Sequence, residues 1–362
     1  MSGAFYLISH KLNSDFLIVG AGIIGLTTAH ALASRGASVT VLEKGEVGRE
    51  SSWAGAGILA TLPPWETPPA LNTLADASVT LYPALIEELI SETGIDPEFE
   101  RSGALLLPPY DEHKALAWRR EKGAPIEKVF VRDRIPALQA NEALYLPAVA
   151  QVRPPRLLKA LERRLSGLGV KLVQRNEAVE LSLRGTRVDG AATAREKFSA
   201  KRVIVCAGAW SWKLLGDYAL GFATAPIKGQ MLLFRCEPGS LNTIVLQDEF
   251  YLVPRRDGHI LAGSTLEDCG FDKGPSELAK QLLLKRAHGL LPELNESTLV
   301  HHWAGLRPSA NMPVIDRHPE LENLYLNAGH FRYGVTMAPG SARLLADVIF
   351  EGASTDFRWP KS

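Results

Sequence analysis

The sequence predicts a doubly wound α/β domain interleaved with an antiparallel-sheet domain, and three observations predict it. First, an apolar run over residues 16–19 enters the turn Gly20-Ala21-Gly22-Ile23-Ile24-Gly25, then a helical stretch over 26–35 closed by Gly36, then a second strand over 39–43. A buried parallel strand, a glycine turn, a helix and a second strand complete a βαβ unit. Second, strands ending in glycine return far down the chain, at 202–208 and 324–329. Third, the segments between these returns are short strands with turn signals, the pattern of antiparallel pairing.

The remaining elements follow in order. Residues 73–92 read as a helix that Pro83 should break, because proline removes an N–H and crowds the preceding turn. Residues 104–107 and 129–131 read as strands, and 156–168 as a helix opened by Pro154-Pro155, followed by a strand over 170–173. Further strands are expected at 231–235, 243–246, 251–254 and 259–263, with Asp257-Gly258 as a two-residue hairpin signal. A Gly/Pro-rich turn after Gly329 leads to a last helix over 341–350, beginning near Pro339-Gly340. There is no internal repeat. The expected cofactor domain comprises residues 1–84, 151–225 and 313–362, and the inserted substrate domain 85–150 and 226–312.

At 362 residues, the chain is long enough for two such domains. Its 40 basic and 40 acidic residues give zero net charge, against a phosphate-neutralising nucleic-acid binder. Three scattered cysteines, Cys206, Cys236 and Cys269, offer neither a disulfide framework nor a CxxC metal pair, so a reducing cytoplasm and no metal are expected. The first residues hold a five-residue apolar run without a basic flank, so no signal peptide is expected. Residues 16–34 carry no formal charge over 19 positions, but their three glycines and polar second half read as strand, turn and helix rather than a membrane span.

The chemistry begins at the glycines. In Gly20-x-Gly22-x-x-Gly25, Gly20 allows a tight turn, Gly22 lets a pyrophosphate approach the backbone, and Gly25 lets the helix lie close to the sheet. The helix N-terminus, including Ile23 and Ile24, then offers free N–H groups to phosphates. Glu43 falls 18 residues after Gly25, placed to accept from ribose hydroxyls. The fingerprint alone does not separate FAD from NAD. Three further stretches favour FAD: the small-residue loop Ser51-Ser52-Trp53-Ala54-Gly55, the glycine turn Ala207-Gly208-Ala209-Trp210, and Gly329-His330-Phe331-Arg332-Tyr333-Gly334 before the last helix. An extended flavin dinucleotide needs contacts from such remote segments.

Together with Ile227-Lys228-Gly229-Gln230, Tyr251-Leu252-Val253-Pro254-Arg255 and Ala304-Gly305-Leu306-Arg307-Pro308, these stretches resemble the D-amino-acid oxidase family of flavoproteins, most closely its glycine-oxidase branch, which serves thiamine biosynthesis. They span nearly the whole chain in family order. The resemblance implies a FAD-binding Rossmann-like domain and an FAD-dependent amine oxidoreductase that deaminates glycine, sarcosine and small D-amino acids, with oxygen as acceptor and hydrogen peroxide as product. It implies that Arg307 clamps the substrate carboxylate, that Tyr251 helps hold it, and that Arg332 assists beside the flavin edge. A guanidinium suits that task because its fork matches a carboxylate bidentately. Lys44, Val179, Gly229, His330, Phe331, Tyr333, Gly334 and Val335 are expected to join the glycine-turn residues around the cofactor. No cysteine or histidine stands ready for flavin attachment, so FAD is expected to be non-covalent, and the chain to form a homo-oligomer.

No acid–base dyad is evident, and none is needed if a neutral amine expels hydride from Cα to flavin N5. The N-terminal dipole of the last helix, placed near Pro339-Gly340, would favour the reduced flavin. Two departures from the branch stand out. Glu249 lies two residues before Tyr251 on the same strand face, and Tyr333 stands where the branch often has asparagine. The alternatives are a D-amino-acid dehydrogenase, a sarcosine or N-alkyl-amine oxidase, or an inert flavin-carrying subunit of a complex. A tRNA-modifying relative fits poorly with zero net charge.

Overall fold

The computed structural model describes residues 14–360, so the expectation about a leader segment lies outside the described residues. Among them, no helix is long and apolar enough to cross a membrane. The uncharged stretch that invited that comparison is the strand Ser14–Val19, a glycine turn and the helix Ile23–Ala33. The helix starts three residues earlier than the pattern suggested, because Gly22 in extended backbone already serves as its N-cap.

One sheet is the doubly wound core. Its strands lie in the order Val314–Arg317, Leu324–Ala328, Lys197–Val205, Ser14–Val19, Val39–Leu42, Lys171–Val173. The pairings from Leu324–Ala328 onward are parallel, and only Val314–Arg317 runs antiparallel at the edge. The hairpin Ala178–Arg184 and Arg187–Thr193 extends this sheet and was not legible from pattern. The near-continuous apolar strands are buried on both faces, as parallel strands between helices must be.

The second sheet has nine strands and is antiparallel except at one pair, where Ile244–Gln247 runs parallel to Ala104–Leu106. At one end of it Ala225–Arg235 pairs with the eleven-residue strand Leu299–Ser309, register Gly229 opposite Gly305 and Ile227 opposite Arg307. The Asp257-Gly258 signal does mark a hairpin between Phe250–Pro254 and His259–Gly263. However, its loop has three residues, closed by Arg255 N–H donating to His259 C=O at 2.7 Å, with Gly258 at φ 84°. That is a type I turn followed by a left-handed glycine rather than a two-residue turn.

Two prolines stand inside helices, where Pro83 was expected to break one and Pro339 to lie near the start of another. Pro69–Thr93 runs unbroken through Pro83 and through residue 84, where the domain boundary was expected. Tyr82, Leu85, Ile86 and Leu89 are buried on one face, and that packing outweighs the missing N–H. The last helix is Gly334–Glu351, with Pro339 inside it. Pro339 has no N–H for the carbonyl of Val335, four residues back, and the buried Tyr82 hydroxyl donates to that carbonyl instead.

Candidate active site

The carboxyl ends of four adjacent parallel strands, after Leu42, Val19, Val205 and Ala328, open onto one cavity of about 500 Å³. The carboxyl edge is where doubly wound sheets place their ligands. The wall opposite comes from the second sheet, through Gly229, Met231, Tyr251, Ser264, Gly305 and Arg307. Glycines make the room in that wall. A side chain at Gly305 would collide with Ala54, on the short helix Ser51–Ala54, and one at Gly229 would collide with the Arg307 guanidinium.

The glycine turn divides its labour. Gly20 (φ 107°) and Gly25 do not line the cavity: a Cβ on the first would strike the Cys206 backbone, and on the second the Gly20 carbonyl. They bring strand and helix together. Gly22, Ile23 and Ile24 do line it, and a Cβ on Gly22 would stand 3.2 Å from Ser52 Oγ, filling the cradle. The Ile23 N–H donates to Ser52 Oγ at 2.9 Å, and the helix has no side-chain cap at Gly22. The Glu43 carboxylate is held by two backbone N–H groups, Ala21 at 2.8 Å and Gly45 at 2.9 Å, and borders the cavity. Lys44 Nζ sits 2.9 Å from the Trp210 ring centroid and 3.4 Å from Glu50; burial lowers its pKa and Glu50 acts the other way.

Arg307 Nη2 donates to Ser264 Oγ at 2.6 Å and Nη1 to the Thr265 carbonyl at 3.1 Å. Burial lowers its pKa, the neighbouring Tyr251 raises it, and Arg332 lowers it further. The Tyr251 hydroxyl donates to Met231 Sδ at 3.3 Å. Arg332 forms an ion pair with Glu249. His330 borders the cavity yet is buried, its Nε2 lying 2.8 Å from Ser341 Oγ, whose hydroxyl donates to Asn327 at 2.6 Å. Burial pushes its pKa down to about 3, so the ring is neutral near pH 7. The Cys206 thiol, also bordering the cavity, is pushed up to about 12 by burial and is no nucleophile.

A family model described as FAD dependent oxidoreductase (DAO) matches residues 15–348. The chain belongs to the DAO family. It is 44% identical to the glycine oxidase of Pseudomonas aeruginosa over 346 residues, 93% of this chain and 95% of that one. It is 31% identical to the bifunctional protein ThiO/ThiG of Trichormus variabilis over 95% of this chain and 54% of the relative. The crystal structure of glycine oxidase from Geobacillus kaustophilus superposes with a TM-score of 0.90 at 30% identity, covering 97% of this chain and 99% of the other.

For a DAO-family chain the cavity fits FAD. An elongated dinucleotide requires one pocket drawn from the βαβ turn, Ser51-Ser52, Val179, Ala207-Gly208, Trp210 and the Gly329–Gly334 turn, and all of these border the same cavity. Gly208, at φ 55°, has no atom within 4 Å of where a Cβ would stand. Of the expected cofactor residues, Trp53 alone has a side chain with a quite different place. It packs edge-on against Trp303, centroids 5.6 Å apart, away from the cavity that Ser51, Ser52, Ala54 and Gly55 border. Gly229 is better described as the seat of Arg307.

The helix N-terminus beside the cavity belongs to Gly334, after the turn Phe331–Tyr333, and not to Pro339-Gly340. Sequence reasoning missed Glu50, Met231 and Ser264, since a serine after a strand or a methionine within one carries no distinctive signal. It also left Arg255 without a role. That buried guanidinium donates to Gln151 (2.8 Å) and to the carbonyls of Val152 (3.1 Å) and Ala56, pinning the loop at the cavity wall. The position of Arg255 directly after the Tyr251–Pro254 stretch was the available hint.

Proposed function

We propose that this DAO-family chain carries out FAD-dependent oxidative deamination of glycine, and more slowly of sarcosine and small D-amino acids, yielding the oxo acid, ammonia or amine, and hydrogen peroxide. One observation carries the reading: Arg307 is seated on Gly229 with its guanidinium oriented by Ser264 and Thr265, beside Tyr251, in the wall facing the glycine turns. A half-buried guanidinium with two fixed donors is ready for a carboxylate without prior rearrangement. Tyr251 adds a hydroxyl on the same side.

When bound, FAD supplies a two-electron acceptor that takes hydride from Cα and is reoxidised by oxygen. The chain contributes the rest: Gly22, Ile23 and Ile24 for the pyrophosphate, Glu43 for ribose hydroxyls, and the Gly334 helix N-terminus beside the ring. Residues 1–84, 151–225 and 313–362 serve the cofactor in this reading, and 85–150 with 226–312 the substrate. The similarity to glycine oxidases and to a ThiO/ThiG protein supports a role in making the thiamine thiazole. Free cysteines at positions 206, 236 and 269 are consistent with a cytoplasmic setting. FAD is held non-covalently, and Leu278 and Leu282, exposed one turn apart, favour a homo-oligomer.

The test is a peroxide-coupled screen of glycine, sarcosine, and D- and L-amino acids on the purified yellow protein. Glycine should lead, with peroxide stoichiometric to ammonia. Turnover with a quinone-like dye but no peroxide would instead establish a dehydrogenase.

A further inference from the structure

Arg332 borders the cavity in the middle of the Phe331–Tyr333 turn, while Glu249 stands immediately before the Phe250–Pro254 strand that carries Tyr251. Their side chains form an ion pair, although they lie 83 positions apart in the chain and come from different sheets' surroundings. Among the described residues, neither has another ion-pair partner. Asp248, next to Glu249, instead faces Arg286 at 3.7 Å. The Arg332 side chain is 26% exposed and that of Glu249 54%, so the pair contributes little to folding stability. Its influence is local: Arg307 is repelled by Arg332 and attracted by Glu249, so both charges are sensed where a substrate anion binds.

We propose that Glu249 determines substrate charge by pairing with Arg332, so that amino acids with one carboxylate are accepted and those with a second anionic group are excluded. This rests on the reading of Arg307 as the carboxylate clamp. With one carboxylate on Arg307, a second would approach Arg332, find it already neutralised, and meet the Glu249 carboxylate. Like charges brought together at a binding surface are the usual means of rejecting a wrong partner. Glu249 is a specificity-determining residue in this scheme, acting by neutralising Arg332 and by its own charge, and not on the reacting atoms.

The experiment compares the FAD-loaded parent with Glu249→Gln, Glu249→Asp, and Glu249→Gln combined with Arg332→Gln. Perturbation of the flavin absorbance band reads binding of acetate and malonate, with no turnover required. In Glu249→Gln, malonate should tighten about tenfold relative to acetate, as expected for one screened charge interaction. Glu249→Asp should keep the parent ratio within about threefold, and the added Arg332→Gln should cancel the gain. Raising the salt should shrink the effect, because the pair is partly exposed. Turnover of D-aspartate against D-asparagine, equal in size and different in charge, should move in the same direction. An unchanged malonate-to-acetate ratio in Glu249→Gln would overturn the proposal. Loss of anion binding in Arg307→Ala confirms the clamp separately, and its persistence there would overturn the underlying reading instead.

Discussion

At Arg307 the local chemistry is set by its neighbours more than by its own charge. Gly229 leaves the room, while Ser264 and Thr265 hold the guanidinium at one angle. Arg307→Ala should therefore keep the yellow flavin and lose amino-acid oxidation, since unpairing a substrate carboxylate in a partly desolvated site costs about 2–5 kcal/mol. Steady-state kcat/KM for glycine should fall by roughly one and a half to four decades, and Arg307→Lys should recover only part, lacking the fork. Gly229→Ala should imitate the loss with FAD retained, because its methyl displaces the guanidinium. A second residue-scale outcome concerns His330, whose folded pKa of about 3 lies below the unfolded value. Its contribution to stability is full above about pH 6.5 and is lost as pH falls toward 3, because the unfolded chain takes up the proton first. Between pH 7.5 and 5, the parent should lose about 1–2 kcal/mol more than His330→Gln, as read by denaturant titration at each pH.

The helix Ile23–Ala33 shows what an element adds. Its uncapped N-terminus at Gly22 faces the cavity, while Gly25 holds its first turn against Gly20. Gly22→Val should place a branched side chain in the cradle and abolish stoichiometric FAD binding, measured as the flavin-to-protein absorbance ratio. Full flavin content in that variant would remove the phosphate assignment. The last helix makes the complementary point. It crosses Pro339 because Tyr82, from the long helix Pro69–Thr93, takes the carbonyl that proline leaves free. Tyr82→Phe should therefore weaken the packing of these two helices by roughly 1–3 kcal/mol, the range for an orphaned buried carbonyl, observable as a lower thermal midpoint.

At the scale of the molecule, the cavity exists only where the two sheets meet, so a ligand filling it bridges both. Added FAD should raise the thermal midpoint of the apoprotein in a concentration-dependent way, the folded state gaining about 2.7 kcal/mol at a hundred times its Kd. Acid denaturation should release free FAD, and colour remaining with the precipitate would show a covalent bond. Much of this frame is legible in the residues. The βαβ unit, the later strand returns and the antiparallel insertion follow from periodicity and glycine turns, which are local consequences of backbone sterics and burial. The stretches around Arg307, Tyr251 and Gly329–Gly334 are legible through their resemblance to the family. What pattern could not decide was anything requiring a partner distant in the chain. Pro83 read as a break and Pro339 as lying near a helix start, because what lets both stand inside helices is packing and the Tyr82 hydroxyl. Trp53 read as a cofactor contact because only Trp303 shows which way it turns. Glu249 read either as a solvated strand-end charge or as a residue tuning selection among amines, and only the fold puts Arg332 beside it. Local sterics set the elements; which carbonyl, ring or carboxylate meets which neighbour is a matter of long-range packing, and only the tertiary structure settles that.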